Sequence, residues 1–232
     1  MLRWFPENIS TYGGDIDAVF SLIYYIVGVW FLLAEGALFF FVFRYRRRAG
    51  RAAAYVRGER FSELAWVLVP AVIVLALDFG IEAAGGPVWA RVKEDVPEHA
   101  LRVNVRAQQF NWNFIYPGPD GQFDSADDVT LENELHVPAG RDVEVRLESK
   151  DVIHSFFIPN VRLKQDILPG RTIRAWFNAT KPGRYELPCA ELCGFGHYNM
   201  RGFLTVHSAD EYERWLQEQW PAAAATAALP AS

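Results

Sequence analysis

The stretch Ala18–Phe43 holds only Ser21 and Glu35 as clearly polar side chains. As a helix rising ~1.5 Å per residue it would be about 39 Å long, enough to cross a ~30 Å hydrocarbon core with some tilt. An ordinary soluble fold is thereby excluded. A second apolar segment, residues 63–84, is interrupted by Pro70 and Asp78, which predicts a second span with protein neighbours beside it. Between them, residues 44–62 carry seven arginines (44, 46, 47, 48, 51, 57 and 60) against the single acid Glu59 before the second span begins. The positive-inside rule places this basic loop in the cytoplasm. Both chain ends then face the other side of the cell (inner or plasma) membrane, residues 1–17 as an extracytoplasmic segment and residues 87 onward as an extracytoplasmic domain. The opening MLRWFPENIS has one arginine ahead of an apolar stretch about twice the usual leader length, so a cleaved leader is not expected.

Charge divides the chain in the same place. Residues 1–60 carry +3 (8 basic, 5 acidic) and the remainder −8 (15 basic, 23 acidic). No basic run falls in a region that reads as folded, which argues against nucleic acid, and abundant aromatics argue against disorder. From Leu101 the pattern becomes short runs of period two: LRVNVRAQQFNWNFIY, DVEVRLES, VIHSFFI, RTIRAWFNA, GRYELP and GFLTVHS. Turn chemistry separates them at PGPDG (117–121), PAGRD (138–142), LPGR (168–171) and KPGR (181–184). This spacing predicts an all-β sandwich or barrel over residues 87–207. A Ser/Asp-capped helix is expected over 208–220, and a disordered low-complexity tail over 221–232.

Residues 189–200 read CAELCGFGHYNM and contain both cysteines of the chain and its one internal methionine. Thiolate, imidazole and thioether together select a soft or borderline metal, copper before any hard cation. Four readings compete. A Cys189–Cys193 disulfide suits an oxidising compartment but leaves His197 and Met200 without a reason. A zinc site of Cys189, Cys193, His197 and another histidine does not need the methionine. A type-1 copper site has no use for the second cysteine. A dinuclear copper site, two thiolates bridging two metals with a histidine on each, uses every residue if a distant histidine joins. His99, His136, His154 and His207 are the candidates, and His154 stands out within the apolar strand DVIHSFFIP. A lone histidine on such a strand is more often a satisfied core residue; the cysteine segment reverses those odds.

The string CAELCGFGHYNM, with DVIHSFFIP and KQDILPGR (164–171) upstream and Glu63-x-x-Trp66-x-x-x-Pro70 in the second span, resembles cytochrome c oxidase subunit II over most of residues 18–207. The resemblance implies an all-β cupredoxin-like barrel or sandwich preceded by a two-helix transmembrane hairpin. It also implies a dinuclear copper-A centre: Cys189 and Cys193 bridging, His154 and His197 terminal, Met200 a weak ligand to one copper and the Glu191 carbonyl oxygen to the other. The Glu191 side chain would reach a magnesium at the boundary with subunit I. The implied activity is that of the electron-accepting subunit of a proton-translocating oxidase, taking electrons from a c-type cytochrome and passing them to haem in subunit I. The oxygen chemistry lies on that other subunit, so no residue of this chain is expected to be catalytic in the bond-breaking sense.

Three features sit beside that reading. Glu63 is either a satisfied helix-end acid or, by resemblance, a proton-uptake group. Phe110, Trp112 and Phe114 alternate and so are expected on one face of a single strand; by resemblance Phe110 and Trp112 belong to the electron-accepting patch, although relatives often carry tryptophan where Phe110 stands. The acidic segment 119–134 reads as a solvated loop able to steer a basic cytochrome, with calcium binding as a lesser alternative. No C-x-x-C-H occurs, so no covalent haem is expected on this chain. The copper-A subunit of a nitric oxide reductase and a membrane-tethered copper-binding module are the competing functions.

Overall fold

A computed structural model describes residues 5–221; the expectation for the tail falls almost wholly outside them, from 222 on. The chain divides into two compact units: a hairpin of two long helices, Asp15–Val88, and a β-rich unit made of the N-terminal residues up to Gly14 together with Trp89 onward.

In the first unit α1 runs Gly13–Arg44 and α2 Phe61–Lys93. Both are long and apolar enough to cross a membrane, and their apolar windows have no residue buried within the chain itself. Each helix exceeds its expected span. α1 begins about a turn earlier, and α2 continues nine residues past 84, through Gly85-Gly86-Pro87, so residues 87–93 are helical and not the start of the β domain. Proline removes one backbone donor. The sequence VWARVK beyond it restores helix-forming residues and puts Arg91 and Lys93 in the last turn, where they favour the helix C-terminus.

Among the described residues the second unit contains ten strands: β1 (Leu101–Gln108), β2 (Asn111–Tyr116), β3 (Val129–Glu132), β4 (Glu134–Pro138), β5 (Asp142–Ser149), β6 (His154–Ile158), β7 (Leu163–Ile167), β8 (Ile173–Asn178), β9 (Gly183–Pro188) and β10 (Arg201–His207). They form a five-stranded sheet in the order β3-β2-β1-β5-β8, a three-stranded sheet β4-β10-β9 and the pair β6-β7. β1 lies parallel to β5, and β4 parallel to β10. The period-two pattern does its work here: Val103, Val105 and Ala107 of β1, Trp112, Phe114 and Tyr116 of β2, and Val143, Val145 and Leu147 of β5 are all buried. Helix α3 (Ala209–Gln219) closes the fold, with the Glu211 carboxylate accepting hydrogen bonds from the Ser208 backbone N–H and hydroxyl.

Two expectations change. Residues 101–116 are two antiparallel strands, because the chain reverses at Gln109–Phe110 with Gln108 paired to Asn111. Phe110 therefore sits at the turn and is 39% exposed, while Trp112 and Phe114 are fully buried; the three do not share a face. The acidic segment 119–134 is also not all loop, since β3 lies inside it and β4 starts at its end. The acids of the remaining loop bond locally: Asp120 accepts from the Gln122 N–H and Asp128 from the Asp124 N–H, and the Ser125 hydroxyl reaches Asp127.

The N-terminal residues are part of this unit. Ser10 forms a bridge with Ala179, Ile9 N–H donates to the Asn160 carbonyl, and the Thr180 N–H donates to the Ile9 carbonyl. Ile9 and Tyr12 are buried, and the Tyr12 hydroxyl donates to the Trp176 carbonyl at 3.0 Å. A domain cut at residue 87 would lack this strap.

Candidate metal centre

Residues 189–200 join β9 to β10, which are antiparallel neighbours, so both ends of the segment start from fixed positions. The Cys189 N–H donates to the Met200 carbonyl across the base of the loop. The Ala190 N–H donates to the Ser155 carbonyl, and a bridge between Phe156 and Cys189 ties the segment to β6. β6 brings in His154. It is fully buried, with the Trp112 ring edge-on at 6.1 Å.

The donors converge in two halves. Cys189 Sγ lies 3.9 Å from His154 Nδ1 and 3.3 Å from the Glu191 carbonyl oxygen. Cys193 Sγ lies 3.6 Å from both His197 Nδ1 and Met200 Sδ. The two sulfurs are 3.9 Å apart and both thiols are free. A disulfide requires about 2.05 Å. Two ligands at ~2.0–2.3 Å from one tetrahedral metal lie about 3.5 Å from each other, which is the spacing found here. His154, Cys189 and Cys193 place their ligand atoms within 4.8 Å of one another, whereas His197 and Met200 flank the other side of Cys193. The set therefore fits two metals sharing both sulfurs better than one metal with four ligands.

The electrostatics of the two thiols differ. Burial opposes ionisation of Cys189, but hydrogen bonding with His154 and with backbone groups of Ser155 and Glu191, and then the His197 ring, overcomes it and holds this thiol at about 6. Burial and the neighbouring Cys189 thiolate push Cys193 up to about 12. One proton leaves readily; the second stays until a cation compensates the pair of thiolates.

Around these donors lies a supporting set that the sequence pattern did not single out. His154 Nε2 is 2.9 Å from Asp151 Oδ1, which fixes the ring with Nδ1 turned to the sulfur. Asp151 also accepts from the backbone N–H groups of Gln109 and Val152. The Gln109 side-chain amide donates to the Cys193 carbonyl at 2.7 Å. The Phe110 ring covers the loop backbone so closely that a Cβ on Gly196 would lie 2.5 Å from it, and one on Gly194 3.2 Å. The β1–β2 turn thus clamps both halves. Asp151 stands three residues before His154, but only the fold shows that its carboxylate reaches the ring.

Glu191 is exposed. Among the other histidines, His136 and His207 bond each other (2.8 Å) and stack with Trp215 on α3, away from the cysteines. In the first unit Glu63 accepts from the Gly58 N–H at 2.8 Å, which gives it a role at the start of α2.

Comparison with known proteins gives the family. The family described as cytochrome C oxidase subunit II, periplasmic domain, matches residues 102–206. The chain is 32% identical to the alternative cytochrome c oxidase subunit 2 of Bradyrhizobium diazoefficiens, over 93% of this chain and 84% of that one. It is 33% identical to cytochrome c oxidase subunit 2 of Thermostichus vulcanus, over 92% and 77% respectively. The solved periplasmic domain of cytochrome oxidase subunit II from Bradyrhizobium japonicum is 29% identical, with 53% of this chain and 96% of that chain covered and a TM-score of 0.47. The paired sulfurs between two imidazoles, on a β domain that follows two apolar helices, belong to a chain of the cytochrome c oxidase subunit II family, the two-pass, extracytoplasmic-domain subunit of an oxidoreductase complex.

Proposed function

We propose that this chain is the electron-accepting subunit of a cytochrome c oxidase in the cell (inner or plasma) membrane. Cys189 and Cys193 would hold a pair of copper ions, with His154 and His197 as the imidazole ligands and Met200 and the Glu191 carbonyl oxygen as the weaker ones. The observation that carries this reading is the pairing of two buried free thiols 3.9 Å apart, each with its own imidazole Nδ1. When bound, the copper pair supplies a one-electron carrier whose charge is spread over two metals, between a c-type cytochrome as donor and haem in subunit I as acceptor.

The chain's own residues supply rigidity. Asp151 holds the His154 ring, Gln109 holds the Cys193 carbonyl, and the closed base of the loop keeps Cys189 and Met200 in register, so little rearranges when charge changes. Phe110, with Leu192, Phe195 and Tyr198, presents an exposed apolar surface over the loop where a haem edge can approach; Trp112 lies beneath it. The exposed Glu191 carboxylate would bind magnesium at the contact with subunit I. Glu63, at the cytoplasmic end of α2, serves proton uptake into subunit I.

Rapid mixing of the copper-loaded full-length protein with a ferrous c-type cytochrome tests the reading. One ferrous haem should be oxidised per centre, and the rate should fall with rising salt as the acidic loop is screened. A centre that takes up copper but oxidises no haem would contradict it.

A further inference from the structure

The seven arginines between the two helices are more than a topology signal. Arg44 ends α1 and Arg60 immediately precedes α2; with both helices crossing the membrane, a connection this short stays at the headgroup level. Exposed aromatic side chains mark that level at Tyr45, Tyr55, Phe61 and Trp66. All seven arginines are exposed, and among the described residues none forms an ion pair with a carboxylate. Arg44 packs over the Tyr45 ring. Glu59 is the one acid of the segment 44–60, and the next, Glu63, is engaged with the Gly58 backbone. Orientation needs only a bias of basic residues. Seven guanidiniums with no carboxylate partner among the described residues, at the surface of an anionic leaflet, find their counter-charge in the lipid phosphates.

We infer that residues 44–60 bind the phosphodiester headgroups of anionic phospholipids in the cytoplasmic leaflet, holding a patch of such lipid at the foot of the hairpin. A guanidinium takes two phosphate oxygens at once through its planar fork, and each basic residue at such a surface is worth about a fivefold preference. The inference rests on the two-pass topology and is independent of the copper site.

The full-length protein is reconstituted into nanodiscs of phosphatidylcholine mixed with phosphatidylglycerol, then washed with detergent, and the lipid retained per chain is quantified. The unaltered chain should keep phosphatidylglycerol in preference to phosphatidylcholine, with the preference weakening as salt rises. Replacing Arg46, Arg47, Arg48 and Arg51 together by Gln removes four factors of about five and should reduce that preference by about two orders of magnitude or more, with copper content unchanged. The same four replaced by Lys should keep the preference but release the lipid at lower salt. Arg44, Arg57 and Arg60 remain in both variants to hold orientation, and tryptic cleavage at Arg57 and Arg60 in inside-out vesicles only verifies it. Equal retention of the two lipids by the unaltered chain overturns the inference. So does a Gln variant that retains lipid undiminished, a Lys variant that loses lipid as completely as the Gln variant, or loss of a bound membrane subunit in place of lipid. Loss of copper in the unaltered chain would count against the proposed centre and not against lipid binding.

Discussion

The two imidazoles of the centre are held in contrasting ways. His154 comes from a strand: its ring is fully buried, edge-on to Trp112, and its far nitrogen is fixed by Asp151. His197 comes from a short 3-10 turn, His197–Asn199, is partly exposed, and owes its place to backbone bonds within the loop such as His197 N–H to the Gly194 carbonyl. One half of the site is set by the core and exists before any metal arrives. The other is set by a loop that the β1–β2 turn presses into shape. The two sulfurs couple these halves.

The comparison can be broken at several depths. The largest effect is expected from Cys193→Ser, which removes the sulfur common to both halves: atomic absorption should show no more than one copper per chain, and the spectrum of a shared electron should vanish. His154→Ala should lower both copper binding and the metal-free stability, the latter by about 1–3 kcal/mol in denaturant unfolding because a buried ring and the Asp151 partner are lost. His197→Ala should cost copper alone. Equal destabilisation of the metal-free protein by the two would erase the distinction. Asp151→Asn should weaken copper by about 10- to 100-fold in chelator competition, with the His197 half still able to hold one metal. Gly196→Ala drives a methyl into the Phe110 ring; overpacking of this kind costs about 1–3 kcal/mol, and Phe110→Ala in the same chain should restore most of it.

The smallest effect lies outside the centre, at the His136–His207 pair. Burial first, and then the His207 ring, lower His136 to about 4, with Glu134 and Arg184 nearby acting in opposite senses. His207 is also lowered by burial, against the pull of Glu211. The unfolded chain therefore binds these protons first. Stability from the pair is fully present above the ordinary histidine value of about 6.5 and is lost as pH falls through that value towards about 4, levelling below it. His136→Gln should flatten that part of the pH profile of thermal unfolding without changing copper content.

Much of this was legible in the sequence, and the rest had a physical reason to stay hidden. The apolar helices and most of the period-two strands are local patterns, and they led to the right elements. The alternation of Phe110, Trp112 and Phe114 misled because a two-residue reversal without glycine or proline carries no turn signal; the chain turns there because Phe110 has the glycine backbone of the other loop to cover. β3 escaped notice since only Val129 and Leu131 face partly inward and acids surround them. The strap has three buried side chains, Ile9, Ser10 and Tyr12, and no periodicity, and the β-domain groups it bonds to lie more than 150 residues away. Asp151 is an ordinary surface acid until the fold turns His154 towards it.

The most direct test is copper stoichiometry together with the electron paramagnetic resonance spectrum of the full-length protein, with the N-terminal strap retained. The account predicts two coppers per chain sharing one unpaired electron, seen as a seven-line hyperfine pattern or its narrow unresolved equivalent. One copper with an ordinary four-line pattern, or a chain that closes a disulfide and takes up no copper, would contradict it.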